Sequence, residues 1–291
     1  MGMMRVPLHT WFGVALLALS EAAMLARIEP FWTWHTPFAW TGYILLLDGV
    51  VYKLRGSSWL TTNRSEFVFL AIVSIPLWVV FEGYNLLIEN WHYINLPENL
   101  VVRYFGYAWA FATISPGIFL TAEVVACLRA SRARPRPDGH HESLPRRSAQ
   151  REGGTGDYVS LAAGAAMLLS PLIWPSPYLA APVFLGFIFL LDPINARAGD
   201  ESLFRDVRAG RYDRLVNLLT AGFVCGGLWE FWNFWARAKW IYTVPIVGDI
   251  KIFEMPVLGY FGFPPFALEC FTMYIFARRL LWRGTRRVIG R

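Results

Sequence analysis

Charge is scarce in this chain. Only 16% of its 291 residues are Asp, Glu, Lys or Arg, against about 25% in a soluble domain. Cysteine is scarcer still. Cys127, Cys225 and Cys270 each sit inside an apolar stretch, with no CxxC spacing. That excludes a disulfide scaffold and a thiolate zinc site, and leaves the three as small packing residues. There is no HExxH, no GxSxG, no P-loop and no GxGxxG in a strand–helix setting. Zinc hydrolase, serine hydrolase and ATPase chemistry therefore have no motif to rest on. The five histidines do not form facing pairs at mid-membrane depth: His140 and His141 fall in a linker, and His9, His35 and His92 at span edges. No metal, haem or other cofactor is expected.

What is abundant is apolar. Hydrophobic residues make up 55% of the chain, with 14 Trp, 12 Tyr and 22 Phe, and the mean hydropathy is +0.38. This is the composition of an integral membrane protein. A crossing helix needs about 20 apolar residues. Eight segments qualify as candidates: 10–28, 36–54, 66–88, 102–128, 158–174, 177–193, 214–236 and 256–282. The first could be mistaken for a signal peptide, but the repeat described next needs it as a retained helix. The expected fold is all-α, a polytopic membrane helix bundle.

An even number of spans puts both termini on one side. That side holds 22 of the Lys and Arg residues; the other holds Arg27, Arg103, Arg237, Lys239 and Lys251. The positive-inside rule then places both termini in the cytoplasm of a bacterial-type inner membrane. The basic surplus of +6 reads as a topology signal and a contact with anionic headgroups, not as a nucleic-acid site. Membrane lipid is the expected partner.

The chain reads as two copies of one unit. Gly42-Tyr-Ile-Leu-Leu-Leu-Asp48 returns as Gly186-Phe-Ile-Phe-Leu-Leu-Asp192. Trp78-Val-Val-Phe-Glu82-Gly-Tyr-Asn85 faces Gly226-Gly-Leu-Trp229-Glu230-Phe-Trp-Asn233. Trp91-His-Tyr93 matches Trp240-Ile-Tyr242, each soon followed by proline. Each half ends in a span with one acid after a proline, Glu123 after Pro116 and Glu269 after Pro264 and Pro265. Four spans per copy make this a tandem 4+4 parallel repeat, its halves related by an axis along the membrane normal. The expected units are 1–129 and 158–291, joined by a basic cytoplasmic linker, 130–157. Within 200–213, Leu203, Phe204 and Val207 among arginines suit either a short amphipathic helix in the headgroup layer or an ordinary polar loop.

Glu82 and Asn85 are three apart, as are Glu230 and Asn233, so on a helix each pair shares a face. An acid inside a span costs about 2.5–3.5 kcal/mol near the bilayer centre, and here that cost recurs at matching positions. Glu82 and Glu230 are the candidate catalytic acids, with Asn85 and Asn233 to orient them. The competing reading has the same residues gluing helices together. Glu269 follows a Pro-Pro break and is a candidate for the wall of a cavity. Glu21 is expected to be structural, and Asp48 and Asp192 to cap loops. Rings crowd beside the acids: Trp78, Tyr84, Trp91 and Tyr93, then Trp229, Trp232, Trp240 and Tyr242. They suit either an interfacial belt or a pocket that binds a long apolar substrate and steadies a carbocation.

From Glu230 the order Glu230, Trp240-x-Tyr242, Gly248 and Pro256 before another span resembles membrane carotenoid-modifying proteins, the lycopene cyclase domain and the related hydratases. Glu82, Trp91-x-Tyr93 and Pro97 echo it. Where that family shows Pro-x-Glu-Glu, this chain reads Pro256-Val-Leu-Gly259 and Pro97-Glu-Asn-Leu100. The resemblance implies tandem helical repeats and acids that protonate a polyene, carried here by Glu82 and Glu230. Three functions follow as expectations. The first is a membrane enzyme acting on an isoprenoid or similar apolar small-molecule substrate. The others are a proton- or ion-coupled transporter and a non-catalytic assembly subunit.

Overall fold

A computed structural model of the chain describes residues 6–132 and 154–290. Eight long helices dominate: α1 Leu8–Leu25, α2 His35–Arg55, α4 Arg64–Ile88, α5 Leu100–Arg132, α6 Thr155–Ile173, α7 Ala180–Arg197, α9 Asp213–Trp235 and α10 Phe263–Leu281. Two short helices, α3 Trp59–Thr62 and α8 Leu203–Arg208, link α2 to α4 and α7 to α9. Four short strands interrupt the helical pattern: β1 Trp91–Ile94, β2 Lys239–Tyr242, β3 Lys251–Ile252 and β4 Met255–Pro256. Most of the expected linker, 133–153, lies outside the described residues; its two ends belong to α5 and α6.

Six helices are long and apolar enough to cross a membrane: α1, α4, α5, α6, α7 with the turn before it, and α9. The other two, α2 and α10, are long enough but more polar, and their position explains why. Both run through the middle of the bundle, against α5 and α9 for α2 and against α7 and α9 for α10. A helix surrounded by protein can carry polar groups that find partners there. On α2 these are His35, Thr36 and Asp48; on α10, Glu269, Thr272 and Arg278, all buried. The perimeter is the reverse. Trp11, Phe12, Val68, Ile72, Leu172, Ile173, Phe223 and Val224 stand exposed on α1, α4, α6 and α9. That apolar belt suits acyl chains.

Bare backbone sets the closest helix crossings. A Cβ at Gly13 would fall 2.7 Å from the Gly42 carbonyl oxygen and 2.7 Å from Leu46 N. At Gly164 it would fall 2.8 Å from the Gly186 carbonyl oxygen and 2.4 Å from Leu190 N. Only glycine lets α1 lie on α2, and α6 on α7, this tightly. On α5, Ser74 inserts its hydroxyl into the helix ladder. Its Oγ donates to Phe111 O at 2.6 Å and accepts from Ser115 N at 3.1 Å, one residue before Pro116. The inserted hydroxyl satisfies backbone that the proline bend would otherwise strand.

One end of the bundle carries a lattice of buried charge. Arg278 pairs with Glu66 and Glu201, and Arg214 with Glu201 and Asp206. The C-terminal tail threads back into this lattice. Arg287 grips Glu123 through two 2.8 Å bonds, the Ile289 carbonyl accepts from Arg214 Nε, and the Gly290 carbonyl accepts from Asn217. Asp48 accepts from Ser58 Oγ and Leu60 N. Asp192 accepts from Ser202 Oγ, Leu203 N and Phe204 N. Both hold the loop after their helix, the capping role expected of them. Within the 200–213 stretch, Leu203–Arg208 forms α8, with Leu203 and Asp206 buried against the bundle.

Candidate active site

At the opposite end the chain turns four times, and the turns meet. The last helical residue of α4 is Ile88; Glu89 takes a positive φ of 49° and sends the chain back as β1. After α9, β2 does the same. The two strands pair antiparallel, Trp91 with Tyr242 and Tyr93 with Trp240, around a centre at His92 and Ile241. Two aromatic strands far apart in sequence thus become one ribbon.

Asn85 and Asn233 build that ribbon. Asn85 Nδ2 donates to Trp91 O at 2.7 Å, while its Oδ1 accepts from Asn90 N and Trp91 N. Asn233 Nδ2 donates to Trp240 O at 2.9 Å and its Oδ1 accepts from Trp240 N at 3.0 Å. Each amide replaces a strand partner for backbone that a turn leaves open. The asparagines therefore place the strands, and their amides are spent on backbone instead of on the acids.

The acids bind the strand rings. Glu82 Oε1 accepts from Tyr93 Oη at 2.5 Å, Trp78 Nε1 at 2.7 Å and Trp91 Nε1 at 3.3 Å. Glu230 Oε1 accepts from Tyr242 Oη at 2.9 Å, and that hydroxyl accepts from Trp240 Nε1 at 2.9 Å. The two acids differ in burial. Glu230 is fully buried, with the Met255 backbone also bonded to its carboxyl group, whereas Glu82 is only half-buried. Burial pushes the Tyr93 and Tyr242 hydroxyls well above the usual tyrosine range, and the neighbouring carboxyl groups push them further.

Under the ribbon lies a cavity of about 530 Å³. Its wall is mostly apolar and rich in rings: Trp78, Trp91, Tyr93, Trp229, Trp240 and Tyr242, all expected substrate contacts, together with Trp34, Trp40, Tyr107, Phe111, Phe184 and Phe266. The second set comes from the turn before α2 and from α2, α5, α7 and α10, and was not expected, since none of these residues sits beside an acid in the sequence. Three expected contacts are elsewhere. Tyr84 donates to Leu168 O on α6, Trp232 donates to Glu21, and Glu269 accepts from Phe187 N on α7 at 3.1 Å. All three join helices. Glu82 and Glu230 stand behind the wall, each bonded to rings that form it.

Among the described residues no three His, Cys, Asp or Glu side chains are grouped to hold a metal ion. Compared with protein-family models, with curated proteins and with solved structures, the chain matches none.

Proposed function

We propose that this is a multi-pass membrane protein of eight spans, a tandem 4+4 repeat, that takes an isoprenoid or similar apolar lipid into the ring-walled chamber and acts on it by acid chemistry. The repeat is supported by paired details: Asp48–Ser58 and Asp192–Ser202, Gly13–Gly42 and Gly164–Gly186, Asn85–Trp91 and Asn233–Trp240. The side rich in Lys and Arg faces the cytoplasm of a bacterial-type inner membrane.

The observation that carries the reading is the chamber itself, an apolar space whose wall rings are hydrogen-bonded to a carboxyl group inside each half. Small-molecule sites are concave, mostly apolar and marked by a few placed polar groups. One carboxyl group, of Glu82 or Glu230, supplies the proton, relayed through the wall hydroxyl bonded to it, Tyr93 or Tyr242. That proton passes to one carbon of a double bond, the π pair forms the new C–H bond, and the neighbouring carbon becomes a cation. The faces of Trp78, Trp91 and Trp229 stabilise it by cation–π attraction. The step closes when a neighbouring C–H gives its proton back to the carboxylate, or when water adds and releases one.

The test is chemical. Lipid that co-purifies with the protein should be a polyene or other isoprenoid by mass spectrometry, and Glu82→Gln and Glu230→Gln proteins, folded in detergent, should lose its conversion. Full activity in both variants ends the acid mechanism.

A further inference from the structure

The chamber wall is sealed on one side and thin on the other. On the sealed side, Trp34 Cη2 lies 2.0 Å from where a Cβ on Gly106 would be. The indole rests directly on the backbone of α5, and no side chain fits beneath it. The matched positions in the second half are different. The step that takes Asp48 to Asp192 takes Trp34 to Tyr178. The carbonyl approached by Ser74 is Phe111 and that approached by Gly222, at 2.5 Å from an added Cβ, is Phe263; this longer step, from Phe111 to Phe263, takes Gly106 to Leu258. Leucine has the side chain that glycine lacks, so a ring cannot lie where Leu258 stands. Tyr178 is 63% exposed and Leu258 50% exposed, yet both line the chamber. Ile246 and Phe261 do likewise at 50% and 66%.

We infer that the gap between the turn Pro177–Leu179 and the turn Val257–Gly262 is a lateral mouth, through which an apolar chain passes from the bilayer into the chamber. The matching gap under Trp34 is its sealed counterpart. This inference rests on the apolar-lipid reading of the chamber. It adds which lipid fits and how it arrives. The chamber, about 530 Å³, falls within the span of small-molecule sites, roughly 300–1,000 Å³, room for one isoprenoid of about twenty carbons. A longer chain is taken end-first, its remainder lying across Tyr178 and Phe261 in the acyl layer.

The mouth is tested with retinol, a C20 isoprenoid alcohol, added to the full chain in detergent, with association followed by energy transfer from the chamber tryptophans in stopped flow. Ala181, an exposed lining residue beside Tyr178, is changed to Trp to narrow the gap. Ala181→Trp should slow association by about tenfold with the amount of retinol bound at equilibrium unchanged, the pattern of a hindered route to an intact site. Phe261→Ala, a change at an exposed ring that spares the fold, should quicken it, and so should Trp34→Ala by opening the sealed side. Unchanged rates in Ala181→Trp and Phe261→Ala overturn the mouth while leaving the chamber standing. No uptake by the unmodified protein overturns both.

Discussion

Tyr93 donates its hydroxyl to Glu82 Oε1 across 2.5 Å, so the carboxyl group on α4 and the strand that roofs the chamber hold each other in place. Removing the donor should be felt twice. Tyr93→Phe should cost about 0.5–1.5 kcal/mol of stability, the usual net worth of a hydrogen bond, read by thermal unfolding in detergent. It should also lower lipid conversion, because Oε1 loses its shortest partner. Normal conversion with lowered stability would confine the tyrosine to a structural role.

The asparagine clamps give a separate expectation. Asn85→Ala and Asn233→Ala each strip a strand backbone of both its donor and its acceptor, at about 1–3 kcal/mol per group left unsatisfied. Hydrogen exchange should quicken at 90–94 and 239–243 in each variant and leave the charged end untouched. Equal protection at the strands would show that the ribbon stands without them.

Arg287 and Glu123 should prove far more costly to separate. Glu123 is fully buried and takes two bonds from Arg287; Trp59 Nε1 at 3.0 Å and Arg55 Nη1 at 3.5 Å remain beside it, so losing Arg287 costs part of the about 3–5 kcal/mol of a stranded pair. Arg287→Ala should therefore lower the melting temperature markedly, as should deletion of the tail after Trp282. Replacing both partners, with Glu123→Leu and Arg287→Met, should recover most of the loss. A double variant no better than the single one argues against a paired charge.

Glycines should divide sharply by what surrounds them. Gly13→Ala and Gly164→Ala put a methyl group within 3 Å of backbone on the facing helix and should unfold or splay those pairs. Gly227 meets nothing within 4 Å, so Gly227→Ala should raise stability by about 0.5–1 kcal/mol through helix propensity. Melting curves of the three variants decide the matter.

Alkali offers a test of the buried phenols. Tyr93 and Tyr242 stay protonated in the folded protein well past the usual tyrosine range, whereas in the unfolded chain they ionise near ~10. The stability they contribute is whole below that pH and falls as pH rises through the folded values. Tyrosinate absorbance up to pH ~11 should thus be the same in the native protein and in the Tyr93→Phe/Tyr242→Phe variant. A smaller signal in the variant would mean that these hydroxyls titrate freely.

Much of the architecture was legible in the chain. Runs of apolar residues about twenty long marked seven of the long helices to within a few positions, because bilayer thickness and helix rise together leave little freedom; the span expected from 256 becomes helical only at Phe263, after β4 and a turn. Asp48 and Asp192 were readable as holders of the loop that follows, although α2 runs on to Arg55 and α7 to Arg197, so each carboxylate reaches its loop from inside the helix. Cys225 and Cys270 are free and buried, as small apolar residues in spans tend to be. The role of Asn85 and Asn233 was not readable. Spacing puts them on the face of the acids, but only the turn at Glu89 and the path of β1 bring backbone within reach of the amide. Trp34, Trp40, Phe184 and Phe266 were missed for a related reason: their partners are rings on other helices, and periodicity reports a face, not what it faces.

What the amino-acid order determined by itself is the solvent: a charge-poor, ring-rich chain with long apolar runs is stable only with its perimeter in hydrocarbon, and local physics is enough to say so. What only the tertiary structure decided is where the polar exceptions go. Glu66, Arg278 and Glu123 sit in apolar surroundings because residues some two hundred positions away neutralise them, and Trp91 and Trp240 roof one chamber because two turns pair across the bundle. A charge or a ring inside a membrane protein is tolerated or useful only through its partner, and the partner is chosen by the fold.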